Sequence, residues 1–322
     1  MQLIDQYQRK INYLRISVTD HCNYNCIYCK PTQKADFLPR QEMLSFEEIE
    51  RIVKIGTQVG INKVRITGGE PLLRRNLVEL VRNLANVNGI DDLCLTTSGQ
   101  HLNELALLLK QAGLMRINLS LDSLQPECYR TITGGGNLSA IWRGIEALET
   151  AGFNPVKLNV VVMRGINEDE IGDFVSLAQA HPWQIRFIEL RPNNPLYKQA
   201  YLPIRTIWQR INREFLLKRI NSSPDSTAKL YTFDQAKGCL GFIGRAEEVL
   251  CSTCNRLRLN AAGKLYPCLF SPQPLNLKEL LRRQASDDEL LAFFRQAALH
   301  KPAHLPDNNL SGKTLPMYKI GG

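Results

Sequence analysis

The sequence lacks the features that mark membrane-spanning and secreted proteins. None of its apolar runs approaches the ~20 residues that a membrane-spanning helix needs. The first residues, MQLIDQYQRKINYLRIS, contain neither the long apolar core nor the small-residue cleavage site of a signal peptide. The nine cysteines are an odd number, which a complete disulfide framework does not explain. We therefore expect a cytoplasmic protein that has no membrane partner.

The chain also lacks any long block of lysine or arginine, although its formal net charge is +9. This charge indicates an acidic partner, but it does not distinguish a nucleotide phosphate from a nucleic acid. Aromatic residues are not interleaved with the basic ones, and no RNA-binding motif is present. A zinc- and RNA-binding protein is therefore the less favoured alternative, and we expect no nucleic-acid partner.

Strand and helix patterns alternate over about the first 220 residues. In the first pair, the β-branched run LRISVTD (14–20) precedes the amphipathic stretch SFEEIERIVKIGTQVG (45–60), where Ser45 and Glu48 form a capping-box pattern. Five further pairs follow, and such alternation implies parallel strands joined by helices. Polar residues gather at the ends of several strands, which converge on one axis in a barrel. We therefore predict an α/β fold with a partial (β/α)6 TIM-type barrel rather than an open doubly wound sheet.

The alternation changes after about residue 220, where the polar stretch NSSPDSTAK begins. Six strand–helix units are two short of a closed barrel of eight. We therefore divide the chain into a barrel at 1–220 and a C-terminal region at 221–322, and we expect the second region to cover the barrel opening.

Six of the cysteines fall into two tight groups, of which the first is Cys22, Cys26 and Cys29 in HCNYNCIYCKP. This loop directly follows the first predicted strand. Three thiolates from one short loop can bind three irons of a [4Fe–4S] cluster and leave the fourth iron open. A zinc ion would need another ligand, and the adjacent His21 is poorly placed to supply it.

The second group, Cys251, Cys254 and Cys268, is also one ligand short of a closed zinc site. Cys239 precedes it and is the candidate for a fourth ligand, so a structural zinc site stays open as an alternative. Arg256 and Arg258 lie between the cysteines, on one side of an extended segment. Beside an open iron, two guanidinium groups would suit an anionic substrate, because their bidentate geometry matches phosphate.

CxxxCxxC with Tyr28 before its last cysteine resembles the signature of the radical S-adenosylmethionine (SAM) enzymes, and Gly68-Gly69-Glu70-Pro71 resembles their GGEP element. Further segments resemble the GTP 3′,8-cyclase family of molybdenum-cofactor biosynthesis, in order and over almost the whole chain. They are VRITGGEPLLR, LTTSG, INLSLDS, VKLNVVVM, RFIEL, CSTCNRLRLNAAGKLYPCLF and the terminal Gly321-Gly322. Another radical SAM enzyme with an auxiliary cluster, of the peptide-maturase type, is the alternative.

The resemblance implies a barrel of the radical SAM type, two [4Fe–4S] clusters and SAM. The residues that it implies for the clusters and for SAM are Cys22, Cys26, Cys29, Cys251, Cys254 and Cys268 as ligands, and Tyr28, Gly69, Ser120 and Arg191 as SAM contacts. Those implied for GTP are Arg15, Arg65, Thr96, Lys157, Arg256, Leu257 and Arg258. The implied catalytic residues are Cys22, Cys26, Cys29, Arg256 and Arg258. Arg191 stands where the family usually has methionine.

The chemistry implied by the resemblance is a radical cyclisation of GTP. A 5′-deoxyadenosyl radical removes hydrogen from ribose C3′, C3′ then bonds to guanine C8, and the product is (8S)-3′,8-cyclo-7,8-dihydroguanosine 5′-triphosphate. The implied partners are an external electron donor and a downstream cyclic pyranopterin monophosphate synthase. A homodimer and a terminal Gly-Gly tail that reaches the active site are also expected.

Overall fold

The computed structural model describes residues 2–29, 37–191, 195–223, 226–244, 251–271, 273–304 and 317–320, without the side chains of 195–197. The predicted Gly321-Gly322 tail lies outside the described residues. Within them, no helix is both long enough and apolar enough to cross a membrane.

The strands of the described residues form one sheet. In chain order they are β1 (Tyr13–Ser17), β2 (Lys63–Thr67), β3 (Asp92–Thr97), β4 (Arg116–Ser120), β5 (Lys157–Val162), β6 (Gln184–Glu189), β7 (Lys218–Arg219), β8 (Lys229–Thr232), β9 (Cys239–Ile243), β10 (Arg256–Leu259), β11 (Lys264–Tyr266) and β12 (Leu275–Asn276). Eight of them are parallel neighbours, in the order β10-β1-β2-β3-β4-β5-β6-β9. Antiparallel pairs extend the sheet beyond β10 and beyond β9.

Helices connect the parallel strands, as the alternating pattern predicts. The described α-helices are α1 (Phe46–Gln58), α2 (Leu77–Ala85), α3 (Leu102–Gln111), α4 (Pro126–Thr133), α5 (Leu138–Thr150), α6 (Ile171–Ala180), α7 (Ile204–Phe215), α8 (Leu277–Arg282), α9 (Asp287–Leu299) and α10 (Met317–Ile320). Short 3₁₀ helices lie at Arg40–Glu42, Pro71–Leu73, Glu168–Glu170 and Pro195–Ala200. The predicted capping box is confirmed at the start of α1, where Ser45 N–H donates to Glu48 Oε2 at 2.7 Å and Glu48 N–H to Ser45 Oγ at 3.2 Å.

The C-terminal region adds strands to both ends of the barrel wall. β9 pairs in parallel with β6, and β10 pairs in parallel with β1. The six predicted barrel strands thus become eight. In the strand order of the described residues, β9 and β10 are not neighbours, so the barrel stays open. The division at residue 220 stays a prediction.

Side chains alternate between the two faces of the sheet, and this alternation creates a polar interior. On β1, Leu14 and Ile16 are fully buried in the hydrophobic core, where the helices pack. Arg15, between them, lines the cavity on the other face. A period of two residues is the expected pattern for a strand with different environments on its two faces.

Candidate active site

The first cysteine group lies on the loop that follows β1. Cys22, Cys26 and Cys29 all line a cavity of about 330 Å³ at the carboxyl ends of the parallel strands. Two backbone hydrogen bonds fix this loop to the end of α4, from Asn25 N–H to Thr133 O at 2.8 Å and from Ile27 N–H to Ile132 O at 3.0 Å. The sequence did not predict α4, which here supports the cysteine loop.

A buried carboxylate lies beneath this loop. Tyr28 donates its hydroxyl proton to Asp122 Oδ2 at 2.6 Å, and Val161 N–H donates to Asp122 Oδ1 at 2.7 Å. Burial raises the pKa of Asp122 to about 6, although these two hydrogen bonds oppose the rise. Burial, and after it the Asp122 carboxylate, also raises the pKa of Cys26 well above its usual value. The first group therefore has acidic surroundings.

The glycines of the GGEP element allow β2 to pack against the cysteine loop. A Cβ atom on Gly69 would lie 2.2 Å from His21 O, and one on Gly68 would lie 2.7 Å from Thr19 O. The Glu70 carboxylate is buried and accepts hydrogen bonds within the protein, from Leu72 N–H, from the Thr97 hydroxyl, and from the N–H and hydroxyl of Ser98. The element therefore holds the loop and the strand end together.

The second cysteine group flanks β10 and has cationic surroundings. Arg256 donates from Nε and Nη2 to Cys254 Sγ, each at 3.4 Å. Burial opposes ionisation of Cys254, but Arg256 and the buried Lys301 outweigh it and lower the pKa of this thiol to about 6. Thiolates are the form that binds iron, so this setting suits cluster ligation.

The donor sets fit two iron–sulfur clusters better than zinc. All six grouped cysteines are free thiols. Among the described residues, no three Cys, His, Asp or Glu side chains form a group that could hold one metal ion. A [4Fe–4S] cluster does not need such convergence, because each thiolate binds a different iron. Cys239, the candidate fourth zinc ligand, starts β9 at the far end of the parallel row, where Arg186 and Lys157 are the charges that act on it.

Strand register brings three predicted substrate contacts side by side. Arg15 on β1 is opposite Arg258 on β10 and opposite Arg65 on β2. All three side chains line the first cavity, together with Arg256. Neighbouring strands lie about 4.8 Å apart, so these guanidinium groups form a continuous cationic wall.

A second cavity of about 350 Å³ lies at the opposite, amino ends of the strands. It shares Arg15, Arg65 and Arg256 with the first cavity. Lys157 lines only this second cavity. The cationic wall therefore borders both spaces, and a ligand as long as a nucleoside triphosphate could contact the two together.

The cations around these cavities repel one another. Burial, and after it Arg65, lowers the pKa of Arg15 to about 10 and that of Arg186 to about 10. Burial, and after it Arg186, lowers the pKa of Lys157 to about 8. Burial and then Arg15 also lower the pKa of Arg258. Like charges gathered in this way are stabilised by a bound polyanion.

The structure brings most of the predicted site residues to the cavities. Those that line the first cavity are Arg15, Cys22, Cys26, Tyr28, Cys29, Arg65, Gly69, Thr96, Ser120, Arg191, Arg256 and Arg258. The side chain of Leu257 is fully buried in the hydrophobic core instead. Cys251, Cys254 and Cys268 do not line either cavity in the described part of the chain, although Arg256 and Leu269 beside them do.

Some residues of the site were missed by the sequence analysis. Arg186 on β6 lines both cavities, and Arg116 on β4 lines the second, where Asp92 pairs with it. Each lies inside a strand-like segment, and the alternation of apolar and polar residues in RINLS and QIRFIE was the available signal. Arg191 lies over the Phe270 ring at 5.0 Å, so its side chain reaches toward the second cysteine group.

The short helix α10 contributes to the lining of the first cavity. Met317 and Tyr318 line the cavity. The Tyr318 ring packs edge-on against Phe37, which itself stacks on His21 of the cysteine loop. Phe37 therefore connects the last described residues of the chain to His21, next to Cys22.

Two family models together span most of the chain. The model described as Radical SAM superfamily matches residues 16–178, and the model described as Molybdenum Cofactor Synthesis C matches residues 183–306. SuiB of Streptococcus suis, solved with its precursor peptide SuiA, has a TM-score of 0.62 at 15% identity, over 88% of this chain and 66% of that one. That likeness concerns the fold alone. Fold, cysteine loop and family match together define a radical SAM enzyme.

Curated relatives show which family of radical SAM enzymes the chain belongs to. A GTP 3′,8-cyclase of Moorella thermoacetica is 43% identical over 321 residues, which are 99% of each chain. Another, of Heliobacterium modesticaldum, is 43% identical over 329 residues, 99% of this chain and 100% of the relative. The chain belongs to the GTP 3′,8-cyclase family.

Family membership confirms the predicted fold class and cofactors. The protein is an enzyme of the radical SAM type, with an α/β fold, and it uses SAM and two [4Fe–4S] clusters. It acts in the first step of molybdenum-cofactor biosynthesis.

Proposed function

We propose that the enzyme converts GTP to (8S)-3′,8-cyclo-7,8-dihydroguanosine 5′-triphosphate at this site. The observation that carries the proposal is the shared cavity system, in which three cysteines lie at one end and a wall of arginines at the other. A radical generated at the cysteines and a triphosphate held by the arginines would meet in the space between them.

The first cysteine group would hold one cluster, with Cys22, Cys26 and Cys29 as ligands. When bound, this cluster supplies the electron that cleaves SAM to methionine and a 5′-deoxyadenosyl radical. Tyr28, Gly69 and Ser120 line the same cavity and would contact SAM. The Arg191 side chain stacks on Phe270, so its contact with SAM would come from the backbone.

The second cysteine group would hold the other cluster, with Cys251, Cys254 and Cys268 as ligands. Arg256 connects it to the substrate space, because its guanidinium contacts Cys254 and also lines both cavities. The guanine base would lie at this end of the site. Since the Leu257 side chain is buried, this residue would contact GTP only through its backbone.

The basic residues would bind the triphosphate and orient the ribose. Arg15, Arg65 and Arg258 form the cationic wall of the first cavity, and Arg15 and Arg65 also line the second cavity together with Lys157. The Thr96 hydroxyl accepts a hydrogen bond from Arg65 Nη1 at 3.3 Å and lines the first cavity. Fixed placement of ribose C3′ lowers the barrier by orientation and shields the radical from competing hydrogens.

The overall reaction balances as an internal cyclisation. The C3′ hydrogen passes to the deoxyadenosyl fragment, a C3′–C8 bond forms, and the guanine ring then takes up one electron and one proton. An external donor would supply that electron and the one that cleaves SAM. A downstream cyclic pyranopterin monophosphate synthase, a homodimer and a cytoplasmic location remain parts of the proposal.

Anaerobic incubation with SAM, a chemical reductant and GTP tests the function. We expect 5′-deoxyadenosine and the cyclised nucleotide in matching amounts. Deoxyadenosine without a cyclised product would contradict GTP as the substrate and favour the peptide-maturase alternative. Zinc without iron or sulfide in anaerobically prepared protein would contradict both cluster assignments.

A further inference from the structure

Lys301 is a buried cation next to the second cysteine group, and the proposed reaction gives it no role. The residue is only 2% exposed to solvent. The ammonium donates to Arg256 O at 2.8 Å and to Pro267 O at 2.9 Å. Arg256 follows Cys254 by two residues, and Pro267 immediately precedes Cys268. One side chain therefore joins the backbones of two cysteine segments.

Arg9 joins the third cysteine segment to the same region. Its guanidinium donates to Cys251 O at 2.6 Å, to Pro302 O at 2.7 Å and to Ala303 O at 3.2 Å. Asp5 holds Arg9 in place through an ion pair at 2.5 Å. Arg9 and Lys301 together tie the three cysteine segments to the chain just after α9.

The buried ammonium of Lys301 needs a negatively charged neighbour, and the cysteine sulfurs can supply it. A buried ammonium is destabilising unless an anion faces it. Among the described residues, no carboxylate forms an ion pair with Lys301. The two carbonyls that its ammonium contacts belong to the segments that carry Cys254 and Cys268, so the thiolates of these two cysteines would supply the facing negative charge. Three thiolates on a [4Fe–4S] cluster leave it anionic, and reduction adds one more negative charge.

We propose that Lys301 is a positioning residue of the second cluster, which holds two cysteine segments in ligating geometry and favours the reduced cluster through its charge. The proposal rests on the assignment of Cys251, Cys254 and Cys268 to a cluster. It predicts that Lys301 acts on the second cluster and leaves the first one unchanged.

The test measures the reduction potential of the second cluster alone. A Cys26→Ala background removes the first cluster, so that anaerobic redox titration followed by electron paramagnetic resonance reports only the second. In this background, Lys301→Met should shift the midpoint to a more negative potential and speed iron loss to a chelator several-fold. Lys301→Gln keeps an N–H donor for the carbonyls and lacks the charge, so it should shift the midpoint with less effect on iron loss.

Lys301→Arg retains charge and donors, so its midpoint should stay near that of the parent. Lys110→Met is the matched control, because Lys110 also donates to a backbone carbonyl, Gly152 O at 3.0 Å, but on the outer surface. Folding of each variant is checked by circular dichroism, and Lys301→Gln replaces Lys301→Met if the latter does not fold.

An unchanged midpoint and unchanged iron retention in Lys301→Gln would overturn the proposal. A lower thermal stability with no shift in midpoint would assign Lys301 a structural role only, and would overturn the electrostatic part. If the Cys26→Ala parent binds no cluster at all, the ligand assignment itself fails, and this outcome is distinguishable because it precedes any Lys301 substitution.

Discussion

The first cysteine group lies next to a buried acid, whereas the second lies next to two cations, the partly buried Arg256 and the buried Lys301. Asp122 raises the pKa of Cys26, after the larger effect of burial. Arg256 and Lys301 lower the pKa of Cys254 to about 6 despite burial. The two groups supply the same number of thiolates, so the difference lies in what the fold places around them.

This difference matches the two tasks proposed for the clusters. A negative environment disfavours the addition of an electron, so it makes a reduced cluster a stronger reductant, as cleavage of SAM requires. A positive environment favours bound anions, as a GTP site requires. On the proposed assignment, the fold separates an electron-donating end from a substrate-binding end.

We expect the largest effect when one cysteine ligand is removed from each cysteine group in turn. Cys26→Ala should abolish deoxyadenosine formation. Cys254→Ala should abolish cyclised nucleotide while retaining deoxyadenosine formation, because the first cluster would remain intact. Chromatography of both products, with iron content as the control, measures this. Loss of deoxyadenosine formation in Cys254→Ala would show that the two ends do not work separately.

A smaller effect should follow from removing one cation of the second end. Arg256→Ala should raise the dissociation constant of GTP about 100-fold, since hydrogen bonds to a charged partner contribute about 1.5–3 kcal/mol. SAM affinity should be unchanged. Calorimetric titration measures both affinities, and Arg213→Ala on the exposed side of α7 is the matched control. Equal GTP affinity in Arg256→Ala and Arg213→Ala would contradict a substrate role for Arg256.

Asp122→Asn tests the acidic end. Removal of a buried negative charge should make the first cluster easier to reduce, by the equivalent of about 1–2 kcal/mol at the effective dielectric of protein interiors. A redox titration in a Cys254→Ala background reports the first cluster alone. The expected shift toward a more positive potential is opposite to that of Lys301→Gln at the second cluster. A shift in the same direction for both would contradict the electrostatic comparison.

Local motifs and tertiary placement differ in how far the sequence could predict them. Three features could be predicted from residue types and spacing, because each is contiguous in the chain: the cysteine loop, the GGEP element and the strand–helix alternation. The alignment of Arg258 with Arg15 depends on β10 pairing with β1, across more than two hundred residues, and no local pattern encodes that pairing. Lys301 contacts the cysteine segments only because α9 returns the chain to them, so it was not predicted.

The smallest expected effect concerns Lys157, at the far end of the cavity system from the cysteines. Burial and neighbouring arginines lower the pKa of Lys157 to about 8, so its ammonium is mostly present below that pH and is lost above it. The terminal phosphate of GTP, with a pKa near 6–7, is already ionised by about pH 7.5. GTP affinity should therefore fall about three- to tenfold between roughly pH 7.5 and pH 9.5, the effect expected for one partly buried ion pair. Arginine has a much higher intrinsic pKa than lysine, so the affinity of Lys157→Arg should fall less steeply over this range. Calorimetric titration at several pH values makes the comparison, and parallel slopes for the two proteins would mean that a different group titrates.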